Sequence, residues 1–336
     1  MRAVVVSPGP EFSVMDVYRG WVGGLRAQGV EVFEFNFHDR LAIHTEMQVE
    51  RDGEMRHLFD FDAAVRIVFE SLQATLYATW PDIIVVVSGH FFSAPLFDMI
   101  RANRPHKLVM LHTESPYEDE RQIELAQHFD VNVLNDPINI DRFPAGTIYI
   151  PHAYDPAVHH ANGRTEEFDF SFVGTGYRSR IDYFEKVDFG SARVALAGNW
   201  PTLDDDSPLM AHQVGERDEC LDNADTADMY RRSAMSANLY RVEADSPDLV
   251  QGWAMGPREV ELAACGTFFA RDPRPEGDEL LPMLPKVTCP AELTDVLRWS
   301  MAHPEQRQQA ADAARAAVSD RTFSSNAARL LRALDA

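Results

Sequence analysis

The sequence is poor in most of the features that mark membrane, metal-built or disulfide-built proteins. Its 336 residues contain no apolar run near the roughly 18 residues needed to cross a bilayer. It has three cysteines, Cys220, Cys265 and Cys289, far apart and without a CxxC pair, which excludes a disulfide framework and a cysteine-paired zinc site. Basic residues are scarce: 31 Lys and Arg stand against 53 Asp and Glu, a net charge of −22. The deficit is general, with 12 basic against 22 acidic residues in 1–150 and 19 against 31 in the rest. No basic domain is hidden behind an acidic one, so duplex DNA and anionic membranes would be repelled over most of the surface. Walker loops, GxGxxG fingerprints and fixed-period repeats are also missing. The opening MRAVVVSPGP reads as a strand running into a turn rather than as a leader, which gives the expectation of a cytoplasmic protein.

A 45% hydrophobic share is enough for two ordinary cores. In the first half short apolar runs alternate with helical patterns. Strands are expected at 3–7, 30–36, 82–88, 107–112, 131–135 and 147–150, helices at 12–28, 61–80, 93–103 and 119–128, and a hairpin at 47–58 around Asp52-Gly53. DIIVVVS (82–88) is nearly all apolar, as a strand covered on both faces must be. A stretch rich in Pro, His and polar residues follows, and then the alternation resumes, with strands at 169–174, 192–198, 236–240 and 267–270. The pattern predicts an α/β chain of two doubly wound, Rossmann-like domains facing a cleft. The boundaries are 1–150 for the first domain, 151–167 for the linker, 168–303 for the second domain and 304–336 for closing helices.

In such sheets ligands bind at the carboxyl ends of strands. Polar residues expected there are Glu11, His90 and Glu114 in the first domain, and Gly174, Gly176, Arg178, Arg180, Asn199, Arg258 and Glu261 in the second. GTGYRSR (174–180) admits two readings. Its glycines and arginines suit a phosphate approached by backbone N–H groups and guanidinium forks, and equally suit a plain turn with solvated charges. GPREVELAACG (256–266) is a well-formed short helix, with Pro257 in its first turn and Gly266 closing it. Glu261 is either a residue that complements the helix dipole or a carboxylate for a ribose diol. His90 suits a sugar hydroxyl, and Glu11 or Glu114 a general base. No metal site is read: the run Asp204-Asp205-Asp206 lies in a long acidic loop and reads as solvated charge.

Arg258, Val260, Glu261, Ala264 and Gly266 fit the pattern R-x-[FV]-E-x-x-A-x-G. In this the chain resembles glycosyltransferases of GT-B fold, especially the spore-maturation-protein type. TIYIPHAYDPAVH, DFSFVGTGYRSR, VALAGNW and DRTFSSNAARLLRAL resemble further segments of that group in the same order. The resemblance implies a nucleotide diphosphate-sugar donor held by the second domain, with its ribose on Glu261. It also implies an acceptor (small molecule, glycan or protein) at the first domain, His90 near the donor sugar, and residues 304–336 packing back on the first domain. Trp253 stands where those relatives often carry a second glutamate, so the stereochemical outcome is left open. No cofactor or metal is expected beyond the donor substrate. The alternatives are a non-catalytic two-domain protein that closes on a small ligand, and a glycosyltransferase acting on modified DNA.

Overall fold

The computed structural model describes residues 1–8, 13–89, 92–101, 106–163, 165–243 and 247–335. The chain divides into two compact units, Met1–Ile150 with Phe323–Ala336, and Pro151–Thr322. The first unit runs β1 (Arg2–Val6), α1 (Ser13–Ala27), β2 (Glu31–Phe35), α2 (Phe37–Glu46), β3 (Gln48–Arg51), β4 (Glu54–His57), α3 (Phe61–Thr79), β5 (Ile83–Val87), α4 (Ala94–Arg101), β6 (Lys107–His112), α5 (Asp119–Ala126), β7 (Val131–Leu134) and β8 (Ile148–Tyr149). Six of these strands form a parallel sheet in the order β2-β1-β5-β6-β7-β8. All five side chains of β5 are buried, as its unbroken apolar run requires. On α3, Ala64, Val65, Val68, Phe69, Leu72 and Leu76 make one buried stripe, and the Asp60 side chain caps the helix by accepting from the Ala63 N–H. β3 and β4 form the expected hairpin, turned by Asp52 (φ 55°) and Gly53 (φ 81°).

The second unit runs β9 (Phe170–Val173), α6 (Arg178–Phe184), β10 (Val194–Ala197), α7 (Asn223–Arg231), β11 (Met235–Asn238), α8 (Pro257–Cys265), β12 (Phe268–Arg271), α9 (Pro275–Leu280), α10 (Pro290–Ala302) and α11 (Pro304–Ala317). Its parallel sheet has the order β10-β9-β11-β12. Successive strands leave β9 in opposite directions, so the switch point of this unit lies between β9 and β11, the place where open α/β sheets take ligands. The segments by which the chain enters and leaves this unit run side by side: Tyr154 bridges Thr322, and its N–H donates to the Arg321 carbonyl at 2.9 Å.

The last helix, α12 (Phe323–Asp335), belongs to the first unit, where it lies along α1. This moves the boundary expected at residue 304. Pro304 only opens α11, which stays in the second unit and adds Ala311 and Ala314 to its core. The docking of α12 depends on two glycines one turn apart on α1. A Cβ on Gly20 would stand 2.2 Å from the Phe323 ring, and one on Gly24 would stand 2.4 Å from the Phe323 carbonyl oxygen. Gly23, between them, faces open space. Gly24→Ala is therefore expected to destabilise, because overpacking of about 1–3 kcal/mol exceeds the helix-propensity gain of about 1 kcal/mol. Gly23→Ala should keep that gain and raise the melting temperature. Urea unfolding of the two variants checks the pair, and a stable Gly24→Ala would show that α12 does not pack here.

Candidate functional site

The loop after β9 is fastened to the loop after β10. The Gly174 N–H donates to the Ala197 carbonyl at 3.0 Å, and the Gly176 N–H to the Asn199 carbonyl at 2.8 Å. Gly176 lies so close to Trp200 that a Cβ would meet the indole at 2.3 Å. Asn199 thus contributes its carbonyl to the loop, and Gly174 (φ 153°) faces an arginine from elsewhere in the chain.

That arginine is Arg258, on the first turn of α8. Its Nε donates to the Val173 carbonyl at 3.1 Å, at the end of β9, and its Nη1 donates to Asn238 Oδ1 at 3.1 Å, at the end of β11. The guanidinium therefore spans the switch point. It also stacks 4.7 Å above the Phe172 ring, and Nη2 occupies the space a side chain on residue 174 would need. The two arginines of the loop are engaged by other protein groups. Exposed Arg178 pairs with Asp182 at 2.8 Å and Asp204 at 3.3 Å. Arg180 is buried and donates to the Thr175 carbonyl at 2.9 Å and the Leu239 carbonyl at 2.7 Å. Within the acidic run, Asp204 and Asp205 thus pair with Arg178 and Arg217. Among the described residues no group of three or more His, Cys, Asp or Glu is placed to hold a metal ion.

Glu261 lies one turn after Arg258, with its side chain 18% exposed and Oε1 4.0 Å from the buried His159 Nε2. The fully buried phenol of Tyr230 lies within electrostatic reach of both charges. Burial raises the pKa of its phenol, and Arg258 and Glu261 act on it with opposite sign. The other glutamate of the helix, Glu259, is fully buried. Its Oε2 accepts from the Tyr240 hydroxyl and from the Gly256 N–H at 2.9 Å, and the Arg274 guanidinium stacks 4.1 Å above the Tyr240 ring. A single helix thus presents a cation at the switch point, a half-open carboxylate and a buried carboxylate. That combination can hold an anionic group and a vicinal diol on one short helix.

The model of the glycosyl transferase-like family matches residues 157–332, just over half of the chain and including Arg258 and Glu261. The chain belongs to this glycosyl transferase-like family. No curated protein sequence matches it. Among solved structures it is similar to a sucrose-phosphate synthase from Thermosynechococcus elongatus, at 12% identity and TM-score 0.66 over 100% of this chain and 98% of that one. It is also similar to Anabaena HepE in complex with UDP, at 12% identity and TM-score 0.63 over 99% of each chain. A third is a Listeria monocytogenes protein described as a UDP-N-acetylglucosamine 2-epimerase, at 15% identity and TM-score 0.61 over 99% of this chain and 95% of that one. The shared architecture is the GT-B fold of two Rossmann-like domains.

In this glycosyl transferase-like chain the residues expected to act from the first unit are unequally placed. Glu11 and His90 lie outside the described residues. Glu114 occupies the turn after β6, half-buried, and its carbonyl accepts from the Glu118 N–H at 3.1 Å. Nearby, His112 is buried with Nε2 2.9 Å from Asn132 Oδ1, and burial lowers its pKa to about 4, so the imidazole is neutral. No described helix is long and apolar enough to cross a membrane.

Local helix rules did not separate Glu259 from Glu261, which only the resemblance singled out; the signal for Glu259 was the third helical position, from which a glutamate reaches back to the N-cap N–H. Burial is the largest influence on Glu259 and raises its pKa to about 7 from 4.5, against the Tyr240 and Gly256 hydrogen bonds and the charges of Arg271 and Arg274. The native protein therefore keeps a proton that the unfolded chain releases, and Glu259 removes stability as pH rises from about 4.5 to about 7. Glu259→Gln should remove this loss. The difference in melting temperature, variant minus wild type, is expected to climb across that window and level off above it. A flat difference would show that Glu259 ionises normally.

Proposed function

We propose that this protein is a glycosyltransferase that takes its sugar from a nucleoside diphosphate-sugar, in the manner of the spore-maturation type. The observation that carries the reading is Arg258 lying across the β9/β11 switch point with Glu261 one turn further along the same helix. The diphosphate is assigned to the Arg258 guanidinium and the Gly174–Gly176 loop with Asn199, and the ribose diol to Glu261. Arg178 and Arg180, held by protein partners, rank behind Arg258 as phosphate ligands. UDP bound to the structurally similar HepE supports a nucleotide ligand. The acceptor is assigned to the first unit, with Glu11 and Glu114 as candidate bases and His90 as the candidate for the sugar.

Neutralising a departing diphosphate with a fixed cation is electrostatic catalysis, and it requires no divalent ion. A thermal-shift series with UDP, GDP and ADP, each with and without EDTA, tests the reading. A nucleotide at about 100 times its dissociation constant adds about 2.7 kcal/mol, a shift readily seen. One of the three is expected to stabilise the protein equally in EDTA. Stabilisation that EDTA abolishes and magnesium restores would overturn the metal-independent mechanism, and no stabilisation by any of them would overturn the donor assignment.

A further inference from the structure

Glu261 has a neighbour that sequence reasoning left inside the linker. His159 is 1% exposed. Asp155 builds the turn that carries it: Oδ1 accepts from the Ala157 N–H at 2.9 Å, and the carbonyl accepts from Val158 and His159 at 3.1 and 2.7 Å. Arg231, at the end of α7, donates to the Val158 carbonyl at 2.8 Å and ties the turn to that helix. The imidazole then reaches the start of α7 and the middle of α8 together. Its Nε2 is 3.1 Å from Asn223 Oδ1 and 4.0 Å from Glu261 Oε1. Nδ1 is buried and has no hydrogen-bond partner among the described residues. Both neighbours of Nε2 are acceptors, so the ring proton belongs there; on Nδ1 it would be a buried, unpaired donor.

We propose that His159 is a positioning residue for Glu261, and through it a determinant of ribose recognition. This rests on the assignment of the ribose to Glu261. The Nε2–H, taken by Asn223, leaves the positive edge of the ring 4.0 Å from Oε1, and this electrostatic contact favours the carboxylate rotation that turns Oε1 toward the ring and presents Oε2 to the ligand. A carboxylate with a second group locking its rotamer meets a diol in one geometry rather than several. His159→Leu keeps bulk and removes the donor, whereas His159→Gln returns an N–H near the place of Nε2.

The test is calorimetry with whichever of UDP, GDP and ADP binds the wild type most tightly, and with its 2′,3′-dideoxy counterpart. Wild type is expected to prefer the ribose form by about tenfold to a hundredfold, the range of a charge-assisted hydrogen bond. In His159→Leu the preference should fall below about threefold with affinity for the dideoxy form unchanged, and His159→Gln should restore most of it. Equal weakening of both forms, or a preference kept in full by the Leu variant, would overturn the inference alone. A wild type without preference would overturn the Glu261 assignment itself, and the inference with it. Should the Leu variant fail to fold, 15N-histidine spectra of the unmutated protein decide, with His159 assigned from the Gln variant. Its Nε2 resonance is expected to shift with the ribose form and to stay in place with the dideoxy form; equal shifts, or none, overturn the proposal.

Discussion

Arg258→Lys should weaken binding of the nucleoside diphosphate by about tenfold to a hundredfold, because lysine keeps the charge but loses the planar fork. The guanidinium is already fixed by the Val173 carbonyl and by Asn238, so in the proposed site Nη2 would meet the phosphate without further ordering. The bare nucleoside, which has no phosphate, should bind with nearly unchanged affinity. Arg178→Ala is the control. Its guanidinium belongs to exposed ion pairs with Asp182 and Asp204, which contribute little in solvent, so affinity should stay within about twofold. Calorimetry with nucleoside and nucleoside diphosphate measures both variants. If Arg178→Ala produced the larger loss, the phosphate would belong to the exposed end of the loop.

The second large effect is expected at Glu261. Glu261→Gln keeps the helix and the size of the side chain but makes the bonds to the diol neutral, and those bonds contribute about 1.5–3 kcal/mol when charged. Affinity for the donor nucleotide should fall about tenfold to a hundredfold, with the melting temperature of the free protein nearly unchanged. Glu259→Gln, two residues earlier, should do the reverse: it alters stability with pH and leaves nucleotide affinity almost intact. If the roles of the two variants were exchanged, the ligand would have to lie on the Tyr240 side of the helix.

The two glutamates show where sequence reasoning stops. Pro257, the first-turn acids and Gly266 specified the helix, and it forms with Gly266 in the left-handed C-cap conformation expected of it. Both acids suit a helix start, so local rules rank them alike. The family pattern fell on Glu261, and packing gives the physical reason, since Tyr240 and Arg274 enclose Glu259 while Glu261 stays partly open. The same limit applies to the arginines. Three of them stood close to the expected phosphate loop, and which one crosses the switch point depends on Asn238, the polar end of β11, whose four residues are all buried.

Parallel strands such as IIVVV were plain in the sequence because burial on both faces demands an unbroken apolar run. The resemblance sent the last helix to the first unit, where α12 lies, but its own residues did not name its partner. An amphipathic segment announces that it will be covered, but its partner is set by Gly20 and Gly24 at the other end of the chain, where two missing side chains make room for Phe323. Pro304 looked like a domain break and is only the first residue of α11. His159 carried no signal beyond its residue type, because its turn becomes part of the site only once α7 and α8 fold beside it.

The most direct test of the central claim is a crystal structure with the nucleoside diphosphate that stabilises the protein most. Ribose hydroxyls on the Glu261 carboxylate, with diphosphate oxygens on Arg258 and the Gly174–Gly176 backbone, are the predicted result. A nucleotide bound with neither Arg258 nor Glu261 in contact would contradict the account.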